Sequence, residues 1–220
     1  MRRVPLIRAA GWWFLAAILA AGASAESPGA ERYDADLAAS RVAVEGTSTL
    51  HGWHVEGHDL GGYVMVREDE LAALWRSRGA SPHALAPTVR VEIPVTSLTS
   101  GKRQMDEKMH EVLKAEAYPT IIYHLESAQV TTRQMAQADD VSGSLAIDTT
   151  GVLTVAGVER TVNIRMHVRR LLENRLEISG EVSLRMTEFG IDPPRAMLGT
   201  LRTGDTVHVH WTWVLVRRPS

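Results

Sequence analysis

The sequence of 220 residues contains no cysteine. This absence excludes a disulfide framework, a thiol nucleophile, thiolate metal ligands and a lipidated cysteine that would tether the chain to a membrane. The sequence also lacks internal repeats and low-complexity tracts. A hydrophobic fraction of 45% with 23% charged residues is ordinary for a globular protein and excludes disorder and collagen-like repeats. Any activity must therefore come from groups other than thiols.

The first 25 residues have the pattern of a secretory signal peptide. Three arginines precede an apolar stretch over residues 11–22, and small residues follow at the next three positions. A membrane anchor is the alternative, but the stretch has about 12 apolar residues whereas a spanning helix needs about 20. We therefore expect cleavage after Ala25, a periplasmic or secreted protein, and no transmembrane anchor in the mature chain.

The mature chain is mildly acidic. Without the three arginines of the signal peptide it carries 21 basic and 26 acidic residues, a formal charge of −5. Because phosphate backbones bind to basic surfaces, nucleic acid is not expected as a partner. Residues 26–32 are interpreted as a polar linker, and residues 33–217 contain no interior linker. We therefore expect a single domain over residues 33–217.

Alternation of apolar and polar residues with a period of two recurs along this domain and predicts about eight strands. Because each strand has only one apolar face, antiparallel pairing is favoured. A sheet of this length must close or fold into two layers to protect its edges. Glycines at 57, 61 and 62 predict a bulge or bend in the second segment. The segments are residues 42–44, 53–66, 89–95, 121–125, 145–155, 162–168, 176–186 and 207–215.

Two other segments have helical spacing. Apolar residues recur at helical intervals from Leu71 in residues 68–78 and from Met105 in residues 102–114. The pattern as a whole predicts an all-β fold: an eight-stranded antiparallel barrel with one or two short helices. Such a barrel is just wide enough to be filled by its own side chains or to hold one slender ligand. The pattern does not decide between a filled interior and a ligand-binding interior.

Four motif blocks follow one another along almost all of residues 33–217. They are STLHGW at 48–53; residues 97–109 with 113–115 and 118–121; GVLTVAGV at 151–158; and MTEFGI at 186–191, continued by Pro193, Pro194, Gly199, Gly204 and Asp205. Together these blocks resemble the YceI-like family of periplasmic polyisoprenoid-binding proteins. The resemblance implies a lipocalin-like barrel with an apolar channel for an isoprenoid chain and no catalytic machinery. The chain departs from the common pattern at Lys108-Met109, where many members have a His-Leu pair.

The residues expected to contact a lipid are the inward-facing strand residues, the apolar face of the second helix and one arginine. The resemblance places Arg103 beside the channel mouth, where its guanidinium would meet a phosphate or quinone oxygen. A salt bridge that fixes the helix is the alternative for Arg103, and ordinary core packing is the alternative for the apolar residues. The set is Val44, Trp53, Tyr63, Val91, Ile93, Arg103, Met105, Met109, Leu113, Ile121, Tyr123, Leu153, Val155, Ile164, Met166, Ile178, Val182, Leu184, Phe189, Val209, Trp211 and Trp213.

Nine histidines raise a metal-dependent enzyme as a further hypothesis. His208 and His210 share one strand face, and His51 lies close in sequence to His54 and His58. However, the first pair falls on the face opposite the tryptophans, and His51 has the wrong parity to join its neighbours. The sequence contains neither a Gly-x-Ser-x-Gly elbow nor a His-Glu-x-x-His helix. We therefore predict surface histidines, no metal ligand and no catalytic residue.

The leading hypothesis is non-enzymatic binding of a long-chain isoprenoid or quinone-type lipid in the periplasm, for transport or sequestration. No cofactor is expected other than such a bound lipid. The alternative is a filled barrel that acts as a structural or stress-related interaction module. A homodimer through an edge strand or through the methionine-bearing helix also stays open.

Overall fold

The computed structural model describes residues 29–76, 84–134, 144–172, 174–196 and 201–218. The predicted signal peptide and residues 26–28 lie outside the described residues. The first strand begins at Ala30, so residues 30–32, which their polarity assigned to a linker, belong to the folded domain. They pair with residues 65–67 of a neighbouring strand, and backbone pairing of this kind does not require apolar side chains.

The described residues form thirteen strands, two α-helices and two 3-10 turns. The strands are β1 (Ala30–Ala35), β2 (Arg41–Ser48), β3 (Gly52–Gly57), β4 (Gly61–Arg67), β5 (Ala84–Leu85), β6 (Thr88–Pro94), β7 (Leu98–Thr99), β8 (Thr120–Gln134), β9 (Ser144–Val155), β10 (Val158–Leu172), β11 (Arg175–Arg185), β12 (Arg195–Ala196) and β13 (Leu201–Arg217). The helices are α1 (Glu68–Arg76) and α2 (Arg103–Val112), and the 3-10 turns are η1 (Val95–Ser97) and η2 (Met186–Phe189).

Eight strands close into an antiparallel barrel. The hydrogen-bonded order is β1-β4-β6-β8-β9-β10-β11-β13, and β13 pairs again with β1 to complete the ring. The closing pairs place Tyr33 opposite Arg217 and Ala35 opposite Leu215. Closure removes the unpaired edges that an open sheet would expose. The predicted eight-stranded antiparallel barrel with two short helices is therefore confirmed.

Three strands lengthen the barrel wall at one end. β13 pairs with β2 through residues 207–212, β2 forms a hairpin with β3, and β3 pairs with the two-residue strand β7. β3 ends at Gly57 and β4 begins at Gly61, which confirms the bend predicted from the glycines. β13 is 17 residues long and therefore spans both parts of the wall.

The bend between β1 and β2 is fixed by one buried serine. The Ser40 hydroxyl donates to the Asp36 carbonyl at 2.7 Å and accepts the Val214 amide at 3.0 Å. Because a buried hydroxyl without partners would be costly, these bonds make Ser40 compatible with complete burial. The corner between β1 and β2 is thus attached to β13.

The two helices lie at opposite ends of the barrel. α1 follows β4, and its Leu71 packs in the same buried cluster as Trp213 and Leu215. α2 packs Met105 and Met109 against the cluster around Val42, Val55 and Leu98, next to the β2–β3 hairpin. Neither helix is long and apolar enough to cross a membrane, and the same holds for every helix among the described residues.

The helix ends differ slightly from those predicted. α2 begins at Arg103 and ends at Val112 rather than covering residues 102–114. Its end follows from Lys114, whose φ of 55° is left-handed and cannot continue a right-handed helix. α1 begins at Glu68 as predicted and is described as far as Arg76. The predicted residues 77 and 78 lie outside the described residues.

Candidate functional site

The interior of the barrel is not filled. It encloses a cavity of about 800 Å³ whose wall is almost entirely aliphatic and aromatic. The wall is built by the inward faces of seven of the eight ring strands, all except β1, as in β13, where Val207, Val209, Trp211 and Trp213 all line the cavity. Among the residues that the structure describes, no aspartate or glutamate lines it. The cavity is therefore suited to an apolar guest.

Twenty of the twenty-two predicted site residues line this cavity. Their common feature is an inward parity in the barrel or a position on the apolar face of α2 or in η2. They are Val44, Trp53, Val91, Ile93, Met105, Met109, Leu113, Ile121, Tyr123, Leu153, Val155, Ile164, Met166, Ile178, Val182, Leu184, Phe189, Val209, Trp211 and Trp213.

The other two predicted residues lie elsewhere. Tyr63 precedes the inward-facing Val64 and is therefore on the outer face, where the Arg32 guanidinium stacks on its ring at 4.0 Å. Arg103 has a side chain that is 85% exposed and pairs with Glu107 one helical turn away at 3.3 Å. The prediction for Tyr63 was wrong because the bend before β4 resets the parity. The Arg103 side chain is on the solvent face of α2 and does not line the cavity.

Further residues of the wall were not in the predicted set. Most share the inward parity of strands that sequence alternation had already marked, so an unbroken count along each strand would have found them. The polar ones carry no such signal. The additional residues are Val42, Ser48, His51, Val55, Leu60, Val64, Val66, Leu71, Pro87, Val89, Leu98, Lys102, Gln104, Lys108, Val112, Leu125, Ala128, Leu145, Ile147, Thr149, Val168, Leu176, Arg185, Met186, Ile191, Pro194, Thr203 and Val207.

Two cross-strand pairs of an inner glycine with a tryptophan help to keep the interior open. The Trp53 ring lies on Gly46, where a Cβ would come within 2.2 Å of the ring. The Trp211 ring lies on Gly180 in the same way, with a Cβ distance of 2.5 Å. A large ring that occupies the space of a missing side chain lies along the wall instead of projecting into the lumen.

A third aromatic ring, in the pair of strands β8 and β9, also lies on an inner glycine. Tyr123 covers Gly151, where a Cβ would come within 2.5 Å of the ring. The Tyr123 hydroxyl donates to the Thr149 hydroxyl at 3.4 Å, and Thr149 donates to the Ile164 carbonyl at 2.8 Å. Burial raises the pKa of Tyr123. This polar group is therefore neutral and satisfied within the wall.

Apart from the Tyr123–Thr149 pair, the polar residues of the wall lie at one end, which we call the mouth. The mouth consists of the β2–β3 hairpin, α2, the end of β11 and the start of β13. Its polar lining residues are Ser48, His51, Lys102, Gln104, Lys108, Arg185 and Thr203. All three of the formally charged residues are cationic.

Two of these cations are paired with acids that do not line the cavity. Lys108 contacts Glu111 at 2.8 Å, and Arg185 contacts Asp205 at 2.9 Å. Asp205 also accepts the amide and hydroxyl of Thr187, and these bonds, with the Arg185 guanidinium, lower its pKa. The mouth therefore presents positive charge to the cavity while its negative charge faces away.

The helix α2 covers the mouth and is attached near its N-terminus. Asp106 accepts hydrogen bonds from the Ser100 amide at 2.7 Å, the Ser100 hydroxyl at 2.6 Å and the Thr99 hydroxyl at 2.8 Å. These bonds, with the Ser100 hydroxyl the largest cause, lower the pKa of Asp106. A ring nitrogen of His110 lies 2.9 Å from the Leu98 carbonyl. Polar contacts thus hold a helix that contains no fully buried residue.

The opposite end of the cavity, which we call the floor, is apolar. It is formed by Leu71 of α1 together with Leu60, Val66, Leu145, Leu176 and Trp213. The α1 helix is held there by Glu68, which accepts the Tyr33 hydroxyl at 3.2 Å and lies 3.8 Å from Arg170. Burial and then the Glu68 carboxylate raise the pKa of Tyr33 to about 12.

The histidines at 54, 208 and 210 lie on the outer surface. His54 is 3.0 Å from Glu56 and 3.5 Å from Glu45, whereas His208 is 2.8 Å from the Ser183 hydroxyl. His210 is 3.5 Å from Glu181. Within the described ranges, no three His, Asp or Glu residues are grouped so as to hold a metal ion. These contacts are those of exposed side chains on a solvated sheet.

Comparison with known proteins gives both a family and a fold. A family model described as the YceI-like domain matches residues 33–215. A polyisoprenoid-binding domain from Saccharophagus degradans, implicated in plant cell wall breakdown, is similar in structure with a TM-score of 0.59 and 13% identity; the match covers 84% of this chain and 98% of that chain. BcnA from Burkholderia cenocepacia matches with a TM-score of 0.59 and 16% identity, over 82% and 99% of the two chains. No curated protein matches the sequence.

Proposed function

Since the chain belongs to the YceI-like domain family, we propose that it binds a single lipid with a long isoprenoid tail inside its barrel. The tail occupies the apolar cavity and the headgroup stays at the mouth. The protein acts as a carrier or as a store for the lipid and performs no reaction on it. The similar fold of a polyisoprenoid-binding domain from another organism supports this choice of ligand.

The observation that carries the proposal is the continuous apolar cavity of about 800 Å³. Transfer of each methylene from water into such a space contributes about 0.8 kcal/mol. A tail of several isoprene units therefore binds tightly with almost no polar help. The inner glycines under Trp53 and Trp211 support the same conclusion, because they leave room that packed side chains would otherwise occupy.

The mouth suits a headgroup that accepts hydrogen bonds or carries negative charge. Lys102, Lys108 and Arg185 supply donors there and are the charged residues of the wall in the part of the chain that the structure describes. A phosphate or a quinone carbonyl would be stabilised there. The Tyr123–Thr149 pair inside the wall is satisfied by its own hydrogen bonds, so it offers no activated nucleophile.

We also propose that the protein works in the periplasm. The basic start, the short apolar stretch and the small residues before Glu26 support export of the chain. A soluble barrel with a lipid inside would carry that lipid through an aqueous compartment. Cell fractionation with mass spectrometry of the N-terminus tests this location, and a cytoplasmic, uncleaved chain would contradict it.

The proposal is tested by organic extraction of the purified full chain followed by mass spectrometry. We expect a co-purifying isoprenoid lipid in about equal amount to the protein. After delipidation, a fluorescent geranylgeranyl probe should bind and quench the fluorescence of the wall tryptophans. The absence of both a co-purifying lipid and probe binding would contradict the proposal.

Two variants of β13 separate a channel wall from a packed core. Trp211→Ala removes a ring that lines the cavity and should weaken probe binding by at least about tenfold. Val214→Ala removes a buried side chain from the same strand that does not line the cavity. It should lower stability and leave probe affinity unchanged. Equal affinities for the two variants would indicate that Trp211 has only a packing role.

A further inference from the structure

The cavity has one polar end and one closed apolar end. All six floor residues are buried, and Tyr33 and Leu215 beyond them are completely inaccessible. All six floor side chains are hydrocarbon except for the Trp213 indole N–H, and no charged residue of the described chain lines the cavity at this end. A lipid therefore enters with its tail, and the tail stops at the floor.

The barrel wall fixes the volume between the mouth and the floor. This volume limits the length of tail that the cavity can hold. If each non-hydrogen atom takes about 30 Å³, the volume of a water molecule in the liquid, then 800 Å³ holds about 27 such atoms. Five carbons make one isoprene unit. The cavity therefore accommodates about five units.

We propose that the floor acts as a length gauge: it limits to about five the isoprene units that the barrel can bury, and Trp213 of the floor, with Ala128 of the same buried cluster, sets that limit. This inference rests on the proposed function. Both residues line the cavity and belong to the buried cluster at the floor. Each methylene that enters the cavity raises affinity about fourfold, whereas a methylene that stays outside adds nothing. Affinity should therefore rise with tail length and then become constant.

The experiment measures the affinity of polyprenols of three to eight isoprene units for the delipidated full chain, by competition with one fluorescent geranylgeranyl probe. For the natural sequence, affinity should rise steeply up to about five units and stay constant beyond. A continued rise to eight units would overturn the length gauge and leave the proposed function intact. Failure of the probe and of every polyprenol to bind would overturn both.

Variants at the floor should move the plateau in opposite directions. Trp213→Ala removes nine non-hydrogen atoms from the wall and should extend the plateau by about two units. Ala128→Phe adds six carbons inside the existing space and should shorten it by about one unit. Ala128→Phe removes no side-chain atoms from the core. The length gauge can therefore still be tested with this variant if Trp213→Ala fails to fold.

A matched control comes from the same strand. Val214 is as deeply buried as Trp213, but it neither lines the cavity nor belongs to the floor cluster. Val214→Ala should lower stability and leave the plateau at about five units. A plateau that moves in Val214→Ala, or that stays fixed in both Trp213→Ala and Ala128→Phe, would overturn the inference.

Discussion

Gly180 shows how a single missing side chain shapes the lumen. A methyl group at this position would come within 2.5 Å of the Trp211 ring, so Gly180→Ala should push the ring toward the cavity. We expect probe binding to weaken at least about tenfold and stability to fall by about 1–3 kcal/mol from overpacking. Fluorescence titration and urea unfolding measure the two effects.

Gly52 provides the matched control for this substitution. A methyl group there would meet its nearest atom at 3.6 Å, an ordinary contact, so Gly52→Ala should leave probe affinity unchanged. If Gly180→Ala also binds the probe normally, then the glycine under Trp211 does not control the width of the lumen.

Tyr33 gives a prediction about alkaline pH. Its pKa is raised from 10.0 to about 12, so the folded state favours the neutral phenol. The corresponding stability is complete below pH 10 and is lost as pH rises toward 12. Tyr33→Phe should cost about 1 kcal/mol at pH 8 through the lost hydrogen bond to Glu68, and it should lose less stability than the natural chain above pH 10.

Urea unfolding at pH 8 and pH 11 measures the difference in unfolding free energy between the two proteins. A parallel titration of phenolate absorbance should contain one fewer late-titrating tyrosine in Tyr33→Phe. The idea fails if both proteins lose the same stability between these pH values.

At the residue scale, the sequence predicted which side chains face the interior wherever this depends only on the alternation of side chains along a strand. Val209, Trp211 and Trp213 face inward because side chains alternate along β13, and this rule needs no knowledge of the neighbouring strands. The stacking of Trp211 on Gly180 depends on the register of β11 against β13, and nothing local encodes that register. The exposed position of Arg103 likewise depends on which helix face α2 turns toward the barrel.

The helix α2 is the element most suited to control entry to the cavity. Asp106 attaches it to the preceding loop through three hydrogen bonds, so Asp106→Asn should lower stability by about 1 kcal/mol and speed lipid release. Hydrogen exchange of α2 and the dissociation rate of the fluorescent probe measure these effects. Glu107→Gln on the same helix breaks only an exposed pair with Arg103 and should change neither quantity.

The same attachment predicts a response to acid. Because the pKa of Asp106 is lowered in the folded state, its stabilising contribution is complete above its ordinary value of 3.8 and is lost as pH falls through the lower value. Probe release should therefore accelerate below about pH 4, and this component should be missing in Asp106→Asn. An identical acid response in both proteins would contradict the role of Asp106.

At the element scale, hydrophobic periodicity predicted the helices and the glycine-rich bend, since both follow from local spacing. The periodicity did not indicate that α1 closes one end of the barrel while α2 covers the other. That arrangement follows from the pairing of β4 with β1 and of β3 with β7. Such pairings join residues far apart in sequence and are decided only in the folded chain.

For the whole molecule, a ligand that fills the cavity of about 800 Å³ should couple binding strongly to stability. Lipid at one hundred times its dissociation constant should add about 2.7 kcal/mol to the unfolding free energy. For a protein of this size the midpoint of thermal unfolding should then rise by roughly 5–10 °C. Calorimetry of the delipidated and reloaded full chain measures the shift, and a prenol of one isoprene unit serves as control. An unchanged midpoint with bound lipid would contradict this coupling.

The overall architecture was predictable because one-sided alternation over many segments leaves few alternatives to a closed antiparallel sheet. The size of the interior was not predictable. It depends on how far rings such as Trp53 and Tyr123 lie along the wall, and a list of apolar residues is the same for a filled and a hollow barrel.

The strand β13 pairs with β1, β2, β11 and β12, and so it joins the beginning of the domain to its end. As the chain is synthesised, every other wall strand emerges before this one. Until residues 201–217 leave the ribosome, β1 and β11 are unpaired edges of the nascent sheet, and its apolar inner face is exposed to solvent. The ring therefore cannot close around its interior before β13 is available to pair with both β11 and β1.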